Sequence, residues 1–147
     1  MQSLQQSVQA VVNEGRIGSP VFLRCLLQLP IESDEVVQSV GALATLANTW
    51  MPSPPEQLYV QSSTDSVQST AMIQYEGGQT ANLSINRIPA EQAGSVDLIL
   101  VGNKGVIYHQ TPVGRQYHKI SKIEIDGDES LTDIIESAIK TGEPVKL

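Results

Sequence analysis

"VQSTAMIQYEGGQTANLSINRI", running from Val67 to Ile88, reads as two strands and a turn. Apolar and polar residues alternate on both sides of Gly77-Gly78. That period of two sends successive side chains to opposite faces of a sheet. The glycine pair predicts a hairpin in which both glycines supply positive φ angles. One face then holds Val67, Ser69, Ala71, Ile73 and Tyr75 with Ala81, Leu83 and Ile85, and belongs beneath helices. The other holds Gln68, Thr70, Met72 and Gln74 with Thr80, Asn82, Ser84 and Asn86. This second face is polar yet uncharged. Sheet faces that meet water usually bear Lys, Glu or Arg, which also guard against association. Interfaces, by contrast, are depleted of charge at their centres. Gln68, Thr70, Met72, Gln74, Asn82, Ser84 and Asn86 are therefore candidate interface residues of a homo-oligomer, a dimer or higher. The plainer alternative is a set of solvated strand residues, since such faces also occur without partners.

The same period extends outward. "QLYVQSS" (57–63), "SVDLILVG" (95–102), "GVIYHQTP" (105–112) and "QYHKISKIEI" (116–125) are further short strands between Gly-, Pro- or Asp-containing turns. A strand from Val21 to Leu29 has apolar odd positions (Val21, Leu23, Cys25, Leu27, Leu29), with Arg24 and Gln28 on its other face. Three segments change to helical spacing. Leu4, Val8, Val11 and Val12 mark the first, which Gly15 ends in a left-handed cap. In the second, Ser33 or Asp34 caps a stripe of Val36, Val40, Leu43, Ala47 and Trp50 before "MPSPP" stops it. In the third, Leu131, Ile134, Ile135, Ala138 and Ile139 are buried, and Gly142-Glu143-Pro144 ends the helix. The prediction is an α+β domain over residues 1–147, with a largely antiparallel open sheet of about six to seven strands and helices on one face.

Composition narrows the function. The 147 residues, 40% hydrophobic and 17% charged, suit one globular domain that buries roughly 70% of its unfolded surface. A net charge of −7 with nine scattered Lys and Arg argues against a nucleic-acid partner. The longest apolar run, "VFLRCLLQLP", is too short to span a bilayer and is broken by Arg24 and Gln28, so no membrane association is expected. Cys25 is alone, so no internal disulfide forms. Residues 1–12 have no charged n-region or apolar h-region, and the expected location is cytoplasmic.

The order of elements and several motifs resemble the C-terminal domain of the glucose–fructose oxidoreductase/inositol dehydrogenase (Gfo/Idh/MocA) family. The matching pieces are "VVNEGRIGSPVFLRC" with its G-x-I-G-x-P turn, "GALATLANTWMPSPPEQLYVQSS", "STAMIQYEGGQTANLSINR", "VDLILVGNKGVIYH" and "LTDIIESAIKTGEP". They cover nearly the whole chain. The resemblance implies a substrate-side domain that normally follows a Rossmann domain and commonly pairs subunits through its sheet. It also implies oxidoreductase chemistry with NAD(P) wherever such a Rossmann domain is supplied.

The family's chemistry does not carry over to these residues. Its G-x-G-x-x-G cradle has no counterpart, because "VGNKGVIYH" lies between two strands with no helix after it. Its Glu-Lys-Pro motif is absent, and "TGEPVKL" is a chance scramble of those residue types. Its D-x-x-x-H motif would fall in the second helix, where the histidine is the acid/base. Ala42, Thr45 and Asn48 stand there instead. The only histidines, His109 and His118, lie on late strands outside any matching motif. No residue is singled out as catalytic, cofactor-binding or metal-ligating, and no cofactor is expected for this chain. Asp126, Asp128 and Glu129 lack the spacing of a calcium loop and suit a helix cap. Cys25, among alternating apolar neighbours, reads as core. Arg24, Gln28 and Asn48 are the candidates for a remnant substrate surface; each is equally an ordinary polar residue at an element's end.

Three readings follow. The chain is a C-terminal substrate-side and oligomerisation domain, non-catalytic in isolation. It is a truncated fragment of a full NAD(P)-dependent sugar or polyol dehydrogenase. Or it is a small unrelated enzyme using His109 or His118.

Overall fold

The computed structural model describes residues 2–32, 35–65, 67–111 and 128–147. Its elements are α1 (Gln2–Asn13), β1 (Pro20–Leu29), α2 (Glu35–Trp50), β2 (Pro55–Ser62), β3 (Gln68–Tyr75), β4 (Thr80–Arg87), β5 (Ser95–Gly102), β6 (Val106–Gln110), α3 (Glu129–Thr141) and β7 (Val145–Lys146). The seven strands form one sheet in the order β6-β5-β1-β4-β3-β2-β7. Only β1 and β4 run parallel; the other described pairs are antiparallel. This is the α+β open sheet the alternation predicts.

Local chemistry sets the helix ends. Past α1, Gly15 has φ 67°, and the Arg16 amide donates to the Val11 carbonyl. At α3, the Asp128 carboxylate accepts from the Ser130 amide at 2.9 Å, and Gly142 closes the helix at φ 67°. The capping role of the "DGDE" stretch thus falls to Asp128. Asp126 lies outside the described residues, as do Ser33 and Asp34.

The stripe on α2 is buried as predicted: Val36, Val40, Leu43, Ala47 and Trp50 pack in one core with Leu23, Leu83 and Leu98 from the sheet. Helices α2 and α3 approach closely at Gly41, where a Cβ would come within 3.1 Å of Thr132 Oγ1. Burial of α2 extends well beyond its stripe to Gly41, Ala42, Ala44 and Leu46.

Several expectations need correction. Val21 is exposed, because the register of β1 shifts between Pro20 and Phe22 and takes it off the inward face. Val67 is exposed as well, sitting in the bend that precedes β3. In the hairpin only Gly78 has positive φ, at 81°. Its amide donates to the Tyr75 carbonyl at 2.8 Å, closing a three-residue loop in which Gly77 needs no special conformation. Ile134 and Ile139 pack against the core only partly buried. Val145 and Lys146 also pair with Leu58 and Gln57, a two-residue strand that the alternation does not announce. The strand expected over 116–125 lies outside the described residues.

Candidate functional site

The residues singled out from sequence divide between the two faces of the sheet. Arg24 and Gln28 lie on the open face. Strand register puts Arg24 beside Asn82, and Gln28 beside Asn86, so they share a surface with the interface candidates. Both are already engaged: Arg24 Nη2 lies 3.2 Å from Asp97 Oδ1, and Gln28 Oε1 accepts from Ser95 Oγ at 2.7 Å. An ion pair this exposed contributes at most about 1 kcal/mol.

Asn48 is elsewhere. It sits on α2 across the core, where its Oδ1 accepts from the Tyr75 hydroxyl at 2.9 Å. The structure therefore does not unite the three candidate substrate residues. Neighbouring positions on α2 are equally committed to structure. Ala42 is buried, and Thr45 Oγ1 donates to the Gly41 carbonyl while accepting from the Asp128 amide at 3.5 Å.

Tyr75 is fully buried, and that burial pushes its phenol above the ordinary tyrosine range. A folded-state value above the unfolded one makes the group's contribution to stability complete below ~pH 10, the unfolded value. Above that pH only the unfolded chain ionises, so stability declines with rising pH. Denaturant melts of wild type and Tyr75→Phe at ~pH 8 and ~pH 11 should show this extra loss in wild type alone.

His109 is half-buried on β6, in register with Leu98, and so faces the helix side of the sheet, away from Arg24 and Gln28. His118 lies outside the described residues. Among the described residues no group of three His, Cys, Asp or Glu side chains is placed to hold a metal ion. Cys25 is buried, and desolvation, aided by the Asp97 charge, pushes its thiol up to about 12. A neutral thiol without solvent access is no nucleophile.

The open face is where the unusual chemistry lies. All seven interface candidates stand on it, and the hydroxyls of Thr70 and Ser84 meet at 3.0 Å. Asn86 Oδ1 is buried with no hydrogen-bond partner among the described residues. Alternation in β3 and β4 alone did not reveal how much apolar surface joins this face from the other strands. Phe22, Met72, Val106 and Tyr108 are exposed on it, Met72 by 53% and Tyr108 by 60%. A groove of about 390 Å³ opens among Phe22, Gln57, Tyr59, Met72, Gln74 and Asn82. In the middle of the sheet the charged strand residues are the internally matched Arg24–Asp97 pair; Glu56 near the start of β2, Arg87 at the end of β4 and Lys146 of β7 lie at its margins. Such a surface can bury itself against another, but it presents no acid/base pair.

The fold of this chain is that of solved inositol dehydrogenases. It superimposes on the myo-inositol dehydrogenase of Corynebacterium glutamicum with a TM-score of 0.70 at 14% identity, covering 97% of this chain and 61% of that one. Scyllo-inositol dehydrogenase from Lactobacillus casei, solved with bound NAD(H) and scyllo-inositol, gives 0.64 at 12% identity over 97% and 61% of the two chains. For myo-inositol 2-dehydrogenase of Lactobacillus plantarum the TM-score is 0.54 at 15% identity, covering 95% and 52%. No family model matches the chain, and no curated protein does. The resemblance read from the motifs thus holds at the level of the fold. The chain spans about three-fifths of the length of the first two dehydrogenases, the share expected of a C-terminal domain. No helix among the described residues is long and apolar enough to cross a membrane.

Proposed function

We propose that this chain is the substrate-side and oligomerisation domain of a Gfo/Idh/MocA-type oxidoreductase. On this reading it is non-catalytic in isolation and self-associates in the cytoplasm through its open sheet face. The observation that carries the reading is the open face itself: a broad sheet surface of amides, hydroxyls and exposed apolar side chains, with its central charges internally paired. A sheet usually hides such a surface against another layer. Light scattering of the purified chain at tens of micromolar should give an even oligomer, and a monomer would end the proposal.

Hydride transfer would require a nicotinamide cofactor, and the described residues do not fit one. A dinucleotide pyrophosphate needs a glycine-rich turn leading from a strand into a helix N-terminus. The positive-φ glycines here stand before β1 (Gly15, Gly18), in the β3–β4 hairpin (Gly78) and after α3 (Gly142). None joins a strand to a helix. Titration with NADH and NADPH should therefore give no saturable change in nicotinamide fluorescence. Micromolar binding would overturn this part of the reading.

A second reading is favoured by the coverage of the solved dehydrogenases: the chain completes a full sugar or polyol dehydrogenase when a Rossmann domain, as a partner or in the same polypeptide, supplies NAD(P). Even then α2 would contribute no proton-transfer group, since Ala42 and Thr45 are held in packing and Asn48 is bonded to Tyr75.

A further inference from the structure

The connection from β4 to β5 has to pass over the end of β1, because β1 lies between those two strands in the sheet. Residues 88–94 make that crossing, pinned where the Ile88 amide donates to the Leu29 carbonyl at 3.0 Å. Beneath it, where β1 turns away toward α2, there is a hollow of about 380 Å³. The hollow stands outside the carboxyl ends of β1 and β4, the one parallel pair of the described sheet. Parallel strands whose connections diverge leave such a crevice, and ligands use it.

Its lining is chemically sparse. Arg87 and Glu32 carry opposite charges, and every other described residue around the hollow is aliphatic or proline, with no hydroxyl or amide side chain among them. Arg87 occupies an inward register position, beside Leu29 and next in the alternation after Leu83 and Ile85. An apolar side chain belongs there by period. The ion pairs among the described residues are Arg16–Glu14 and Arg24–Asp97, so neither Arg87 nor Glu32 is matched, to the other or elsewhere. Asp65 is held low by the Ser63 hydroxyl, the Val67 amide and, less, by the Arg87 charge, yet lies beyond ion-pair distance of that charge.

Resting on the substrate-side reading above, we propose that this hollow binds a small zwitterion with an apolar body, an amino acid whose carboxylate meets Arg87 and whose ammonium meets Glu32. A guanidinium presents paired N–H donors that match a carboxylate. Glu32 is exposed at the rim, where the Glu35 carboxylate holds its backbone amide at 2.9 Å. Other ligand classes fit less well. A neutral polyol would turn hydroxyls toward proline and isoleucine side chains that offer them no partner. A plain anion would satisfy Arg87 and meet Glu32 as a like charge, and a plain cation would do the reverse. An amino acid the size of leucine suits a cavity near the small end of the range for ligand sites.

Calorimetric titration of the purified chain with L-leucine tests the assignment, beside isocaproate, which lacks the ammonium, isoamylamine, which lacks the carboxylate, and myo-inositol. Leucine should bind saturably at about millimolar concentration or below. Each truncated ligand should bind about tenfold more weakly or worse. This series deletes one charge at a time without altering the protein, so it does not depend on how any variant folds. Arg87→Gln should weaken leucine by a similar factor, and Glu32→Gln should bring leucine and isocaproate level. Lys104→Gln, at an exposed turn on the opposite end of the sheet, should change nothing. Equal binding of leucine and isocaproate by wild type would overturn the zwitterion, and unchanged leucine binding in Arg87→Gln would overturn the site. Binding of myo-inositol without leucine would overturn the inference and leave the substrate-side reading standing. If none of the four ligands bound, both would fall.

Discussion

Replacing Trp50 by alanine should destabilise the fold by about 3–5 kcal/mol, the range for truncating a large buried aromatic residue. Trp50 ends α2, is only 2% exposed, and belongs to the same core cluster as Met51 and the inward side chains of β1 to β5. Its indole nitrogen is buried without a hydrogen-bond partner among the described residues. The side chain therefore acts through volume and apolar contact, and an unmet N–H works against it. Trp50→Phe, which keeps an aromatic ring and deletes that donor, should consequently lose much less than Trp50→Ala. Asn48→Ala makes the contrast with catalysis. It should cost about 1–2 kcal/mol, through the buried Tyr75 hydroxyl it leaves unpaired. Denaturant melts of the three variants give the order. If Asn48→Ala proved as damaging as Trp50→Ala, α2 would be held by polar bonding and not by its apolar stripe.

That ordering also shows what could be read from residues alone. The α2 stripe was legible because its period is local, and so were the inward faces of β3 and β4. Burial of these positions depends only on a face being covered, not on which strand is the neighbour. Pairing across the chain was not legible. Nothing in "FLRCLLQL" says that β1 lies parallel to β4 and between β4 and β5, and that placement decides which side chains share the open face. Nor does it say that β5 brings Asp97 to Arg24, or that the hairpin brings the Tyr75 hydroxyl to Asn48. Two-residue β7 is shorter than any alternation can signal, and the exposure of Val21 follows a register shift that leaves no mark on composition.

The oligomer makes the strongest claim on the open face, and Met72→Lys combined with Asn82→Lys tests it most severely. The two positions pair across β3 and β4. Met72 is 53% exposed in the isolated chain, so a lysine there can reach water and the monomer should still fold. In an oligomer joined through this face the same lysines would be trapped. Each would be an uncompensated charge in a desolvated contact, beside a second lysine of the same sign. Desolvated like charges of this kind cost several kcal/mol, and each ~1.4 kcal/mol is a tenfold change in dissociation constant. Light scattering should therefore find the double variant monomeric at concentrations where wild type is associated. Global electrostatics push the opposite way. Two added cations reduce the repulsion between chains that each carry −7, so dissociation could come only from the contact itself. A variant with an unchanged thermal midpoint that remained fully associated would take the interface off this face.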